Sequence, residues 1–214
     1  MNKEQEAKKR HIHELVKKLD KDNHQLDVTL ELSTELVSVG DVEQAEELLL
    51  RSLTIFPKNP QLIYNLGNVY YTAGKYDKAD DIFDQLIKKD FGFEAYFMKA
   101  KTLNEQGKTS IAIAFALTAS EKNPQDVDSS ELLADLLMAN GNFDSAIGIY
   151  QKAIQIKPKA KYYFNIGICS MNLEKPYQEY LNKARQLDEK YYLEHEKKLA
   201  DLQKYLQENG EKND

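Results

Sequence analysis

Between Gln61 and Asp90, Leu62, Leu66, Val69, Tyr70 and Ala73 recur at three- and four-residue steps. That spacing gathers side chains on one face of a helix. Gly74 follows, a residue that ends a helix cheaply because it accepts a positive φ. Tyr76, Ala79, Phe83, Leu86 and Ile87 then form a second apolar face. The pattern predicts two short helices joined at Gly74. Each carries only one apolar stripe and is too short to stand alone in water. They must pack on each other and on neighbours.

The same pattern recurs before and after this stretch. The inter-helix glycines are Gly40, Gly74, Gly107 and Gly141, spaced 34, 33 and 34 residues apart. Five residues after each stands an alanine: Ala45, Ala79, Ala112 and Ala146. Seven residues before each stands another small residue: Ser33, Gly67, Ala100 and Ala134. Three residues after those comes a large one: Leu36, Tyr70, Leu103 and Leu137. Proline closes three units, at Pro57, Pro124 and Pro158, and Phe91 takes that place in the second. Small residues suit close helix approach, and proline suits a loop because it cannot continue a helix. A period of this length, held at four positions over four units, is the signature of a repeat array.

The pattern resembles the tetratricopeptide repeat (TPR) family, over about Leu26 to Asp188. The resemblance implies an all-α, right-handed α-solenoid of about five helix-turn-helix repeats with flanking capping helices. The expected units are 26–59, 60–92, 93–126, 127–159 and 160–192. The fifth is degenerate: Gly167 restarts the pattern, but Glu174 replaces the turn glycine and Tyr177 sits where alanine belongs. Pro176 is expected to begin its second helix, and Ala184 fits only if two residues are missing from the turn.

Residues 1–25 read as an amphipathic capping helix, with Ile12, Leu15, Val16 and Leu19 on one face. That stripe is also a candidate dimerisation surface. Residues 189–214 read as a C-terminal capping helix to about Gln207, then a polar, disordered tail. Its apolar face holds Tyr192, His195, Leu199, Leu202 and Leu206.

Charge and composition narrow the function. The 214 residues hold 29 basic and 35 acidic side chains, a net charge of −6. That argues against nucleic acid as the main ligand, because phosphates call for a basic field. Cys169 is the only cysteine, so no intrachain disulfide can form and a reducing compartment is the natural reading. The charged N-terminus is not read as a signal peptide, and no run is long enough to span a membrane. The expected location is the cytoplasm.

No phosphate loop, nucleophile elbow or His-Glu-x-x-His motif is present. The four histidines, His11, His13, His24 and His195, read as structural or exposed, and Cys169 as a buried thiol. The acidic pairs Asp80–Asp81 and Glu46–Glu47 read as solvated surface. No enzyme, cofactor or metal site is expected.

What remains is binding. The resemblance implies a groove lined by the first helix of each pair, of the kind the family uses for peptides of other proteins. It carries the candidate site to Tyr64, Asn68, Tyr71, Phe97, Lys101, Asn104, Glu131, Asp135, Met138 and Phe164. Tyr64, Tyr71, Phe97 and Phe164 would be aromatic anchors, and Asp128, Glu131 and Asp135 an acidic strip. A partner protein or peptide with apolar and basic residues would complement them. A terminal helix folded into the groove would instead cover some of these aromatics. The clamp by which one TPR subclass holds the C-terminal carboxylate of heat-shock chaperones is absent. Asn65 matches, but Leu30, Thr34, Glu94 and Met98 stand where its other polar residues belong. The reading is an adaptor or scaffold. A homodimeric structural module and a receptor for a small signalling peptide are the alternatives.

Overall fold

A computed structural model describes residues 3–210, with side chains omitted at 3–5, 199 and 201–210. The side chains of the expected apolar positions Leu199, Leu202 and Leu206 are among those omitted, and residues 211–214 of the expected tail lie outside the described residues. Among the described residues there are twelve α-helices and no strand. No helix is long and apolar enough to cross a membrane among those residues. The chain divides into two compact units, at Lys122 and Asn123.

The first unit holds α1 (Lys3–Lys21), α2 (Leu26–Ser38), α3 (Val42–Ile55), α4 (Pro60–Thr72), α5 (Tyr76–Lys88), α6 (Phe93–Glu105) and α7 (Thr109–Lys122). Each helix packs on the next, and α2, α4 and α6 also touch in sequence. The core is built from the repeat's own positions. Ala45, Ala79 and Ala112 are fully buried, as are Leu49, Phe83 and Ala116 one turn further along the second helices. The helix starts are capped where the sequence offers a short polar side chain. Asn59 accepts from the backbone N–H of Gln61 and Leu62, with Pro60 in the first turn, and Asp41 accepts from Gln44.

The helix ends follow one rule. Gly40, Gly74, Gly107 and Gly141 all have φ between 70° and 82°. The N–H after each glycine reaches back to the carbonyl of the large residue four before it, as in Asp41 to Leu36 (2.9 Å) and Lys75 to Tyr70 (2.8 Å). This closes the Schellman turn and satisfies carbonyls that a helix end leaves open.

Gly67 shows why the small position is needed. A Cβ there would lie 2.8–2.9 Å from the Phe83 ring and the Ile82 side chain. Gly67→Ala should therefore destabilise the first unit by roughly 1–2 kcal/mol, an overpacking cost partly offset by better helix propensity. A Cβ on Gly167 would lie 2.5 Å from the Cδ2 and 3.0 Å from the Cγ of the buried Leu181. Gly167→Ala should therefore cost the second unit a similar amount, roughly 1–2 kcal/mol by urea unfolding.

α1 spends its apolar stripe inside the unit. Leu15 is fully buried, Ile12 and Leu19 are half-buried against the core, and only Val16 is exposed. His11 is tied to Glu31 of α2 at 3.0 Å. The stripe is thus not the free dimerisation face that the sequence suggested. Asp80 is likewise not a purely solvated residue, since it and Asp84 hold the buried ammonium of Lys99, at 2.6 and 2.8 Å.

The second unit holds α8 (Val127–Ala139), α9 (Phe143–Ile156), α10 (Ala160–Asn172), α11 (Gln178–Leu187) and α12 (Glu189–Gly210). Its last turn keeps the Schellman bond, Lys175 to Ser170 at 2.9 Å, although Glu174 adopts the left-handed φ of 55° in place of glycine. The following helix starts at Gln178, not at Pro176, and loses its first turn. Gly167 then faces Leu181 as Gly67 faces Phe83. Leu181 lies seven residues past its turn residue and Phe83 nine, so the turn is two residues shorter. α12 runs to Gly210, past the Gln207 expected for its end.

Candidate functional site

The predicted site residues fall into the two units and meet different fates. In the first unit they sit on α4 and α6. Tyr64, Asn68, Tyr71, Phe97, Lys101 and Asn104 are all half-buried. Tyr64 stacks on Phe91, ring centres 5.3 Å apart, and meets Phe83 edge-on at 6.1 Å. Burial raises the Tyr64 hydroxyl pKa, while a hydrogen bond from Asn68 pulls it down by less. The Asn68 Oδ1 is buried and has no hydrogen-bond partner.

Tyr71, Phe97 and Lys101 converge. The Lys101 ammonium stands 5.0 Å from the centre of the Tyr71 ring and 5.7 Å from that of Phe97. Tyr71 also donates to Glu105 at 3.4 Å, and burial, then that carboxylate, push its hydroxyl up to about 12. Asn104 is already engaged, accepting from the Thr109 hydroxyl at 3.2 Å. A cleft of about 400 Å³ opens beside Tyr64, lined also by Leu30, Glu31, Glu35 and Asn65. The sequence reading had not marked Glu31 and Glu35, because they lie one position outside the inward-facing register. Asn65 spends its amide on Ser33 (2.9 Å) and the Leu30 carbonyl.

In the second unit the acidic strip is largely neutralised from within. Glu131 accepts from Lys159 and Lys161, both at 2.7 Å, and from the Tyr162 hydroxyl at 2.6 Å. Burial pushes its carboxyl up, but these three donors outweigh it and hold it at about 2. Asp135 accepts from Lys161 at 2.6 Å and from Tyr150 at 2.5 Å, and Asn165 donates to the same Tyr150 oxygen at 2.8 Å. Burial, then the Asp135 charge, raise the Tyr150 hydroxyl; burial, then the bond to Glu131, push Tyr162 up to about 12. Two tyrosines buried in the core thus present their hydroxyls to two carboxylates. Glu131 and Asp135 are therefore not an open strip for a basic ligand; Asp128 alone of the three stays exposed.

Phe164 is not an open anchor either. It is 6% exposed, covered by Tyr191, Tyr192 and His195 of α12, with ring centres 5.8–6.1 Å away. His195 stacks on Tyr191 at 3.8 Å. Met138 is half-buried against the core of the second unit. Cys169 is fully buried, and burial pushes its thiol up to about 11. No group of three or more His, Cys, Asp or Glu among the described residues is placed to hold a metal ion.

Two tetratricopeptide-repeat family models match the chain, over residues 36–102 and 97–161, which together cover more than half of it. The chain belongs to the TPR family. This TPR protein is 25% identical over 168 residues to the TPR repeat-containing protein YpiA of Bacillus subtilis, covering 73% of the chain and 38% of YpiA. It is 27% identical over 123 residues to the human protein O-mannosyl-transferase TMTC1, covering 57% of the chain and 14% of TMTC1. The chain thus spans well under half the length of either curated relative. In fold it is similar to the crystal structure of YrrB, a TPR protein with an unusual peptide-binding site. The TM-score is 0.66 at 21% identity, covering 86% of this chain and 97% of that one. The MamA crystal structure gives a TM-score of 0.65 at 23% identity, covering 77% and 92%. TPR arrays are scaffolds for protein interaction, and this chain has that general character.

Proposed function

We propose that this TPR protein is an interaction scaffold that holds a partner's peptide on the α4–α6 face of the first unit. The observation that carries this reading is the cluster Tyr71, Phe97 and Lys101, with Tyr64 and the unpartnered Asn68 oxygen on the same helix as Tyr71. Half-exposed aromatic rings are the usual anchors of interfaces. A buried acceptor without a donor is costly, so the fold holds one unpaired polar atom directly beneath this face. The likeness of fold to YrrB is consistent with a peptide ligand. The second unit supports the same choice from the other side, since its aromatic anchor is covered and its carboxylates Glu131 and Asp135 are paired.

The partner would bring an extended segment with an apolar side chain for the ring cluster. A basic side chain beside it would suit Glu35, which lines the adjoining cleft, whereas Glu31 there already meets His11. The test compares captures from native lysate by wild type and by Phe97→Ala/Lys101→Ala, analysed by mass spectrometry. A partner held by wild type should be weakened at least tenfold by the double variant, with its helical signal on heating unchanged. The same proteins retained equally by both would remove this face from consideration.

A further inference from the structure

A gap between α1 and α3, lined along α2, holds about 470 Å³. Three side chains account for it. Thr29, Leu36 and Ser52 line the gap, and the next repeat has Ile63, Tyr70 and Leu86 at those positions. Leu86 is fully buried there and Tyr70 is buried too. The third repeat has Ala119 in place of Ser52, but offsets it with Tyr96 in place of Thr29. The first repeat has no such offset. What is missing is the volume of side chains, so the gap is one side chain thick and not wide enough for a helix.

The walls are apolar. Leu19, Leu32, Leu48 and Ile55 line them, together with Val16, the exposed member of the α1 stripe. Thr29 and Ser52 are buried, and their hydroxyls already donate to the carbonyls of Gln25 (3.1 Å) and Leu48 (2.8 Å). Polar recognition is thus left to the rim. There Asp20, Glu47 and Arg51 are all exposed, and none of these side chains has an ion-pair or hydrogen-bond partner among the described residues. Glu47 and Arg51 stand four residues apart on α3, in the order that favours an ion pair, yet they form none. The rim therefore offers uncommitted charges of both signs above an apolar slot.

We propose that this gap is a binding site for a free aliphatic α-amino acid, with its side chain in the slot and its charged end at the rim. The volume falls in the range of small-molecule pockets, roughly 300–1,000 Å³. An anion alone would face two carboxylates, and a cation alone would face the guanidinium. A molecule with both charges meets each with its opposite. Arg51 takes the carboxylate through its planar fork, and Asp20 and Glu47 take the ammonium. A residue inside a partner's peptide carries neither charge and a chain end only one, so the free molecule is the better match. The site is separate from the peptide face: α2 turns Leu30 and Thr34 to the cleft beside Tyr64, and Thr29 and Leu32 to this gap.

Isothermal titration calorimetry of the full chain with L-leucine tests it. One equivalent should bind saturably. Leucinamide, which lacks the carboxylate, and 4-methylpentanoate, which lacks the ammonium, should each bind roughly tenfold more weakly or worse, the loss of one charge-assisted bond. Arg51→Gln should weaken leucine by the same factor and leave leucinamide unchanged. Thr29→Ile/Ser52→Leu, which installs the side chains of the second repeat, should abolish binding with a urea midpoint no lower than wild type. No saturable binding of leucine, or either analogue binding as tightly as leucine, would overturn the proposal. So would wild-type affinity for leucine in the filled variant or in Arg51→Gln. The second of these changes only an exposed side chain, so the test stands even if the filled variant does not fold.

Discussion

Replacing Lys99 by methionine is expected to destabilise the first unit by about 3 kcal/mol, the low end of what removing one partner of a buried ion pair costs. The Lys99 side chain is only 6% exposed, and its ammonium contacts Asp80 at 2.6 Å and Asp84 at 2.8 Å. It also lies 5.6 Å from the centre of the Phe115 ring on α7. Lys99 on α6 therefore joins the helix before it to the helix after it. Methionine keeps the hydrocarbon stem but withdraws the charge. Asp84 is 45% exposed and can turn to water, whereas Asp80 is 21% exposed and has less access. The penalty should thus come mainly from Asp80. Lys99→Met/Asp80→Leu should recover most of the loss, because exchanging a whole buried pair for apolar residues is close to neutral. Urea unfolding of the three proteins checks this. A single variant as stable as wild type would mean that the pair contributes nothing to the stack.

The second large effect is a pH dependence carried by Glu131 in the second unit. Glu131 has a folded pKa held at about 2, against 4.5 for the free side chain. A lowered acid pKa stabilises the fold above the unfolded value, and that stability is lost as pH falls through the folded value. The contribution is therefore complete above about 4.5 and disappears towards 2, and its size is about 3 kcal/mol. Glu131→Gln should remove this slope and weaken the unit at pH 7 by a similar amount. Lys159 and Lys161 are each about one-third exposed and can turn to solvent, so the loss should not grow beyond that. Urea midpoints measured at steps from pH 7 to pH 2 give both numbers. Parallel curves for wild type and variant would show that the network does not couple to folding.

Much of the fold was legible because the repeat states its own steric needs. A glycine every 33 or 34 residues marks a left-handed φ, and the residue seven before it marks a close helix contact. The fifth repeat was half legible. Ala184 pointed to a turn two residues short, yet only the facing of Leu181 and Gly167 shows where the residues went. The site was less legible, for a reason of geometry. Periodicity tells which face of a helix is apolar, not which neighbour it lands on. Tyr192 and His195 were read as an apolar face, but nothing in the spacing said that they would cover Phe164. The charge network was hidden in the same way. Lys159 and Glu131 are 28 residues apart, a separation with no local signal. One clue was present: Tyr150 occupies the core position held by Leu49, Phe83 and Ala116 in the other units, and a buried phenol needs an acceptor. Asp135 supplies it.

The single cysteine also makes the two units experimentally separable. Cys169 is fully buried in the second, its thiol held up to about 11, and the first contains none. A thiolate-seeking reagent can react only when the second unit opens. Alkylation therefore works as a stopwatch for that unit alone, leaving events in the first chemically silent.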